Sequence, residues 1–169
     1  MLRNIKLFMK GLSDGSGPVL KGKKVMAVSS GGGHWVQLLR LRPAFEGSLM
    51  TYVTVEPSAK VDIDDGDFYA VMEGGRNSPF RLMVSVLQLF FLILKLRPDV
   101  IISTGAAPGY FAIRIGKLLG AKTIWVDSVA NTQKLSMAGA MVERYADLWL
   151  TQWPHLAKAN GPSYFGSVI

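Results

Sequence analysis

Residues 24–35 read Lys-Val-Met-Ala-Val-Ser-Ser-Gly-Gly-Gly-His-Trp, an apolar run that ends in three glycines and a histidine. Residues 99–110 repeat the arrangement as Asp-Val-Ile-Ile-Ser-Thr-Gly-Ala-Ala-Pro-Gly-Tyr. Each run is typical of a buried strand, and a helix-like segment follows each glycine turn. Glycines there let backbone N–H groups approach an anion, and the start of a helix adds a partial positive charge. Because the carboxyl ends of parallel strands share one edge of a sheet, we expect the two turns to form one crevice, the working site.

Strands and helices alternate along the rest of the chain. The pattern predicts further strands at 49–55, 68–72, 122–127 and 148–151, the last being the final strand, and helices at 35–41, 80–96, 110–119 and 135–145. This alternation predicts an α/β fold, with a Rossmann-like parallel sheet covered by helices on both faces. We expect that domain to span residues 23–169, after a basic amphipathic segment and linker at residues 1–22.

The chain is basic, rather apolar and free of cysteine. Its 169 residues suffice for one domain with a sizeable core, and its net charge of +7 indicates an anionic partner. That partner is nucleic acid, phospholipid or a phosphorylated substrate. No basic helix is interleaved with base-stacking aromatic residues, so we expect no nucleic-acid partner. The absence of cysteine excludes disulfides, thiolate catalysis and cysteine-based zinc sites.

Residues 1–12 predict a short amphipathic helix that lies in a lipid interface. Apolar side chains share one face at helical spacing, and basic side chains occupy the other face. The alternative is that this helix packs on the domain and that its basic residues are merely solvated. The residues predicted to contact the membrane are Leu2, Arg3, Ile5, Lys6, Phe8, Met9 and Lys10.

The stretch from Leu82 to Leu94 is apolar nearly all round. It is shorter than the roughly 18–20 apolar residues that span a bilayer, so we expect no transmembrane segment. One interpretation is a helix buried between the sheet and a partner, and the other is a surface that dips into lipid. We expect partner or membrane contact, with Phe90 and Phe91 among the membrane residues. The basic N-terminus lacks the apolar core and cleavage site of a signal peptide.

His34, directly after the first glycine turn, is the first catalytic candidate. An imidazole has a pKa near neutrality and can act as a base on an acceptor hydroxyl or donate to a phosphate. The alternative is a polar residue at a helix start that bonds to backbone. Asp127, at a strand end, is the second candidate: it would orient His34, bond a sugar hydroxyl or cap the following segment. Three further polar candidates are Ser128, Asn131 and Ser136.

The sequence favours neither a dinucleotide cofactor nor a metal ion. Val36 stands where the G-x-G-x-x-G fingerprint has its third glycine, which argues against a dehydrogenase. In the acidic stretch 62–67, Gly66 is one place early for a calcium loop and strand-like residues flank it, so a solvated loop is expected. His155 is expected to be structural, and two isolated histidines do not make a transition-metal site. We therefore expect no cofactor and no metal.

Four stretches occur in an order and spacing that resemble a known family. They are Ser-Ser-Gly-Gly-Gly-His at 29–34, Pro-Asp-Val-Ile-Ile-Ser-Thr-Gly at 98–105, Asp-Ser-Val-Ala-Asn-Thr-Gln-Lys-Leu-Ser at 127–136, and Ala-Asp-Leu-Trp-Leu-Thr-Gln-Trp-Pro at 146–154. Together they resemble the bacterial exopolysaccharide glycosyltransferase subunits called PssD. These are relatives of the eukaryotic Alg-type membrane-anchoring subunit of the dolichyl-diphosphate N-acetylglucosamine transferase. Family members often carry Glu-Ser where this chain has Asp127-Ser128.

Members of this family are similar to the N-terminal half of a GT-B glycosyltransferase, and their donor-binding half is a separate chain of the PssE type. The resemblance implies a UDP-sugar glycosyltransferase subunit that is active only with its partner. It implies transfer of a hexosyl, glucuronosyl or N-acetylglucosaminyl group to a polyprenyl-diphosphate-linked acceptor at the cytoplasmic face of a membrane, with peripheral or monotopic attachment. The alternative is a non-catalytic membrane adaptor that recruits the donor-binding subunit.

The resemblance also implies roles for particular residues. By likeness to the related single-chain enzyme MurG, both glycine turns would hold the lipid diphosphate, through Gly31, Gly32, Gly33, Thr104, Gly105 and Gly109. Pro108 in the second turn has no N–H to donate, which leaves fewer free amides there. The apolar C-terminal stretch is of the sort by which family members dock their partner, and its candidate docking residues are Tyr164, Phe165, Val168 and Ile169.

Overall fold

A seven-stranded, wholly parallel sheet forms the centre of the molecule. The computed structural model describes residues 1–10 and 22–168, and of Met9 and Lys10 the backbone only. The strands are β1 (Lys24–Val28), β2 (Leu49–Thr54), β3 (Asp67–Ala70), β4 (Val100–Ser103), β5 (Lys122–Val126), β6 (Leu148–Thr151) and β7 (Ser163–Tyr164). They lie in the order β3-β2-β1-β4-β5-β6-β7, and all neighbouring pairs are parallel. The predicted Rossmann-like α/β fold is confirmed.

Helices cover both faces of the sheet. They are α1 (Leu2–Lys10), α2 (Gly33–Arg40), α3 (Pro79–Leu96), α4 (Ala106–Leu118) and α5 (Met137–Met141), with 3-10 turns at Arg42–Phe45, Pro57–Asp62 and Pro154–Leu156. Alternate residues of each strand feed two apolar cores. In β1, Val25 and Ala27 join the core under α1 and α2, whereas Met26 and Val28 join the core under α3 and α4. Because both faces are covered, the central strands are continuous apolar runs.

Two predicted helices have different bounds in the structure, and the strand predicted to be the last is followed by another. The helix expected at 135–145 shortens to Met137–Met141, because the chain before it runs as an irregular segment fastened to Asp127 and the helix begins only at the Ser136 cap. The helix expected at 110–119 begins four residues earlier, at Ala106, and Pro108 fits because the first turn of a helix needs no N–H partner. A seventh strand, β7, has only two residues and so leaves no apolar pattern to detect.

The N-terminal helix packs on the domain. Ile5 has no exposed surface and belongs to the core under α1 and α2, with Met1, Leu2 and Phe8 packed around it. The prediction that Ile5 contacts lipid is therefore wrong, because its side chain already lies in the protein interior. Arg3 and Lys6 are exposed. The predicted linker, and with it the domain boundary after residue 22, lies mostly outside the described residues.

Helix α3 is the one helix in the described part of the chain that is long and apolar enough to cross a membrane, by length and composition only. The expectation that no segment reaches this length considered only the stretch from Leu82 to Leu94, whereas the 18-residue helix also includes Arg81 and Lys95 and has a mean hydropathy of 1.8. In the fold this helix lies on the sheet and against α4, with Ser85, Leu89 and Ile93 buried. The apolar face of α3 points away from the core and consists of Phe80, Met83, Leu87, Phe90, Phe91 and Leu94.

Candidate functional site

The two glycine turns lie side by side at the carboxyl end of the sheet. They do so because β1 and β4 are paired neighbours, with Val28 in register with Ser103. Two hydrogen bonds join the turns: His34 Nδ1 lies 2.9 Å from the Thr104 carbonyl oxygen, and the Thr104 hydroxyl donates to the His34 carbonyl at 2.7 Å. Since a carbonyl only accepts, Nδ1 carries the proton of the neutral ring and Nε2 is the basic nitrogen.

The second glycine turn is shaped around the histidine. Gly105 has φ +141°, and a Cβ on it would lie 2.5 Å from His34 Cε1. Only glycine leaves room for the imidazole at this point. Gly109 lies inside α4 and is buried, and a Cβ there would collide with the Ser103 hydroxyl. The structure thus places Gly109 at a buried helix–strand contact, which argues against its predicted contact with a diphosphate.

The first glycine turn is open. Gly32 has φ +63°, which favours glycine, and nothing lies within 4 Å of a Cβ built on Gly32 or Gly33. Both residues are exposed, whereas a Cβ on Gly31 would lie 3.3 Å from Glu56 Cβ. The first N–H groups of α2 have no partners within the helix, so this turn has free space next to unsatisfied backbone donors.

A cavity of about 440 Å³ opens beside His34, between α3, α4 and α5. Its lining is mostly apolar, and its main apolar side chains are Leu82, Tyr110, Phe111, Met137 and Met141. The polar candidates Ser128, Asn131 and Ser136 also line it. A cavity of this size and character is typical of a small-molecule site.

Arg76 is the cation at this cavity, and sequence reasoning missed it. Its Nη2 lies 2.7 Å from Met137 Sδ, a weak acceptor, and no carboxylate of the described residues lies within ion-pair distance. A guanidinium without a carboxylate partner is available to an anionic ligand. The only sequence signal was a lone basic residue in the loop before α3.

Asp127 faces its own loop. Its Oδ1 accepts from the Ser136 hydroxyl at 2.5 Å and from Trp125 Nε1 at 3.3 Å. Its Oδ2 accepts from Ser136 N at 2.9 Å and from Asn131 Nδ2 at 3.2 Å. Ser136 in turn caps α5 by accepting from the N–H of Gly139 at 2.8 Å. The carboxylate is buried, and none of these four bonds involves His34, so the geometry favours the capping alternative.

A buried pair of glutamines behind the crevice was also missed. Gln37 Oε1 accepts from Gln152 Nε2 at 2.7 Å and from Val129 N at 2.9 Å. Gln37 Nε2 donates to Ser128 Oγ at 3.0 Å, and Gln152 Oε1 accepts from Val168 N at 2.9 Å. Amphipathic patterning treats glutamine as a surface residue, which is why neither side chain was singled out.

The predicted docking residues separate into two kinds. Val168 is only 7% exposed and lies in the core under α1 and α2, and its carbonyl accepts from Arg40 Nη1 at 3.0 Å. The prediction that Val168 docks a partner is wrong, because the protein itself encloses this side chain. Tyr164 and Phe165 are 39% and 37% exposed. Ile169 lies outside the described residues.

The acidic stretch takes part in folding contacts. Asp62 Oδ2 accepts from Trp35 Nε1 at 2.8 Å, which fastens the stretch to α2. Across residues 1–10 and 22–168, no group of three or more His, Asp or Glu side chains is arranged to hold a metal ion. His155 does not line the cavity, and its Nε2 lies 2.7 Å from the Thr132 carbonyl oxygen.

Solved structures share this Rossmann-like fold. MurG from Acinetobacter baumannii superposes with a TM-score of 0.71 at 15% identity, covering 87% of this chain and 46% of that one. A UDP-N-acetylglucosamine 2-epimerase superposes with a TM-score of 0.62 at 14% identity, covering 87% and 49%. The chain therefore spans about half the length of these two solved structures.

The sequence comparisons identify the family. A family described as "Oligosaccharide biosynthesis protein Alg14 like" matches residues 69–168, and this chain belongs to it. Relatives named UDP-N-acetylglucosamine transferase subunit ALG14 include one from Yarrowia lipolytica, 25% identical over 183 residues that cover 90% of this chain and 84% of the relative. The human relative is 25% identical over 181 residues, covering 86% and 82%. The predicted Alg-type resemblance is confirmed, and the narrower likeness to PssD stays a prediction.

Proposed function

We propose that this chain is the acceptor-side subunit of a two-chain glycosyltransferase and that it works with a separate donor-binding chain. The observation that carries the proposal is the crevice, where the His34 imidazole joins two glycine turns beside a largely apolar cavity, with a guanidinium that no described carboxylate pairs. The name of the relatives, UDP-N-acetylglucosamine transferase subunit, supports a UDP-sugar donor and makes N-acetylglucosamine the first sugar to test. Hexosyl and glucuronosyl groups are the alternatives.

The acceptor that suits this crevice is an amphiphile with a diphosphate, and a polyprenyl-diphosphate-linked sugar has that chemistry. Backbone N–H groups of the open first turn and the start of α2 suit the phosphates. Arg76 adds a positive charge at the same cavity. The apolar lining between α3 and α5 suits the hydrocarbon next to the diphosphate. The UDP-sugar would bind mostly to the partner, the PssE-like chain of our sequence-based prediction, since this chain covers only 46% of the single-chain MurG.

In the proposed reaction, His34 acts as the general base. Nε2 takes the proton from the attacking hydroxyl of the acceptor sugar as that oxygen bonds to the anomeric carbon of the donor. The bond between the anomeric carbon and the diphosphate breaks, and UDP leaves with the bonding electrons. Thr104 keeps the imidazole in the tautomer with Nε2 free. In this scheme Asp127 supports the cavity wall through Ser136 and Asn131 and transfers no proton.

We propose that the chain attaches peripherally to the cytoplasmic face of a membrane, mainly through the apolar face of α3. Phe91 is 62% exposed and Phe80 is 70% exposed, which is unusual for large apolar side chains grouped on one helix. Exposed Lys95 and Arg97 at the C-terminal end of the helix favour anionic headgroups. Arg3 and Lys6 of α1 add charge, and the half-buried Leu2 and Phe8 contribute less.

The test is a transfer assay with the reconstituted pair. Purified His34→Ala, mixed with the donor-binding chain, UDP-N-acetylglucosamine and a polyprenyl-diphosphate-linked acceptor, should lose about 10²–10⁴-fold in turnover, the usual worth of general acid–base assistance. His155→Ala is the matched control, because it also removes a histidine bonded to a backbone carbonyl, and it should transfer at the wild-type rate. Wild-type turnover by a folded His34→Ala complex would favour the alternative of a non-catalytic membrane adaptor.

A further inference from the structure

Gln37 uses every hydrogen-bonding group of its side chain to join separate segments of the crevice. The Nε2 group donates to the carbonyl of Gly33 at 3.1 Å and to Ser128 Oγ at 3.0 Å. The Oε1 atom accepts from Val129 N at 2.9 Å and from Gln152 Nε2 at 2.7 Å. A primary amide offers two donors and two acceptor positions, so nothing is left over. One side chain thus fixes the first glycine turn against the loop after β5.

Gln152 connects the same point to the C-terminal segment. Its Nε2 also donates to the Asp127 carbonyl at 3.0 Å, and its Oε1 accepts from Val168 N at 2.9 Å. Both glutamines are buried, at 6% and 2% exposure, so water cannot replace a lost bond without rearrangement. The bonds therefore favour one relative placement of the C-terminal segment, the loop after β5 and the first glycine turn.

Close to the far end of this chain of bonds lies an exposed aromatic pair. Tyr164 and Phe165 precede Val168 by only a few residues, and more than a third of each residue is exposed. The segment that carries these two rings is held to the interior by the bond from Val168 N to Gln152. The C-terminal segment is thus placed to connect an outer surface with the interior of the crevice.

We propose that Gln37 and Gln152 are positioning residues through which residues 163–168 support the crevice, so that loosening this segment weakens the binding of a diphosphate ligand in the crevice. The identity of the ligand as the acceptor rests on the proposed function. The coupling itself does not, because it follows from the hydrogen bonds within this chain.

Amide hydrogen exchange of the full chain tests the coupling directly. The Val129 N–H bonds to Gln37 and not to Gln152, yet Gln152→Leu should speed its exchange at least fivefold, the lower end of typical site-to-site coupling. Exchange is measured relative to amides of β4, which report on global unfolding. Gln88→Leu is the matched control: it removes the acceptor of Met72 N, and it should leave Val129 unchanged. Unchanged Val129 exchange in folded Gln152→Leu would overturn the proposal.

Ligand binding tests whether residues 163–168 influence the affinity of the crevice for a diphosphate. Farnesyl diphosphate, titrated into the full chain, should bind at least fivefold more weakly to Gln152→Leu than to the wild type, and equally to Gln88→Leu. Faster Val129 exchange with unchanged affinity would overturn the claim that the segment controls the crevice. If the wild type binds no farnesyl diphosphate, the proposed acceptor site fails, while the exchange result still decides whether the glutamines couple the segments.

Discussion

The two glycine turns look alike in the sequence and differ in the structure. Nothing in the protein lies near a Cβ built on Gly32 or Gly33 of the first turn. In the second turn, Gly105 lies against the His34 ring and Gly109 against Ser103. The first turn therefore has room for a ligand, whereas the second is filled by the protein and holds the histidine. The same residue type leaves an open surface in one place and permits close internal packing in the other.

Gly105→Ala tests the second turn and carries the largest expected effect. The added methyl would occupy space that the imidazole now fills, so we expect transfer to fall about 10²–10⁴-fold, as for loss of the base itself. The measurement is turnover by the reconstituted pair, together with thermal unfolding of the variant.

Gly120→Ala separates the collision from backbone strain. Gly120 also has a positive φ, +90°, but nothing lies within 4 Å of its Cβ position. The Gly120→Ala substitution should lower the free energy of unfolding by roughly 1–2 kcal/mol and leave turnover per folded molecule unchanged. Equal turnover losses in both variants would mean that strain, and not displacement of His34, explains the need for glycine at position 105.

Gly109→Ala should lower stability, whereas Gly33→Ala should affect binding of the acceptor. The methyl at position 109 collides with the Ser103 hydroxyl, so we expect the free energy of unfolding to drop by about 1–3 kcal/mol. In Gly33→Ala the added methyl contacts no protein atom, and alanine replaces glycine at a helix start. The free energy of unfolding should therefore stay the same or rise by up to about 1 kcal/mol. Its methyl instead takes up ligand space and should raise the KM for the acceptor.

Urea unfolding and steady-state kinetics on both variants check this contrast. Adding Ser103→Ala to Gly109→Ala should restore part of the lost stability, because it removes the oxygen that the methyl meets. A Gly33→Ala enzyme with the wild-type KM would show that the first turn does not contact the acceptor.

The smallest expected effect is a pH dependence of stability, which arises at the end of the sheet opposite the crevice. Burial acts to raise the pKa of Asp147, but hydrogen bonds from Lys117 and Thr123 outweigh it and hold that pKa below its ordinary value of 3.8. Since the folded pKa is the lower one, the stabilisation is present above the ordinary value and is lost as the pH falls through the folded pKa. Urea unfolding between pH 3 and 7 should show less acid destabilisation in Asp147→Asn than in the wild type. Identical pH profiles of the two proteins would show that the Asp147 contacts do not contribute to the pH dependence of stability.

The parts predicted best from the sequence are those with a repeating physical signal. Buried parallel strands such as β1 and β4 are continuous apolar runs, and α3 is a long apolar stretch, so these elements and the α/β class could be predicted. The length of α5 could not, because it depends on Asp127 and Ser136 meeting across a loop. Ile5 and Val168 appeared to be free apolar residues because pattern alone does not show which surface covers them.

The candidate site follows the same division. Glycines and His34 at the ends of strands carry a local signal, and the pairing of β1 with β4 brings them together. Arg76 and Gln37 carry none, since a lone arginine in a loop and a glutamine in a helix occur on any surface. Their importance arises from residues distant in the sequence, such as Met137 and Gln152, that only the fold places beside them.

The central claim is that this chain carries the acceptor site, and equilibrium binding to the isolated full chain tests it most directly. Farnesyl diphosphate and UDP-N-acetylglucosamine are titrated separately into the wild type, into Arg76→Ala and into the control Arg81→Ala. We predict that the wild type binds farnesyl diphosphate more tightly than the UDP-sugar. Arg76→Ala should weaken farnesyl diphosphate binding about tenfold, or ~1.4 kcal/mol, whereas Arg81→Ala should bind as the wild type does. Binding of the UDP-sugar with no binding of the prenyl diphosphate would contradict the account.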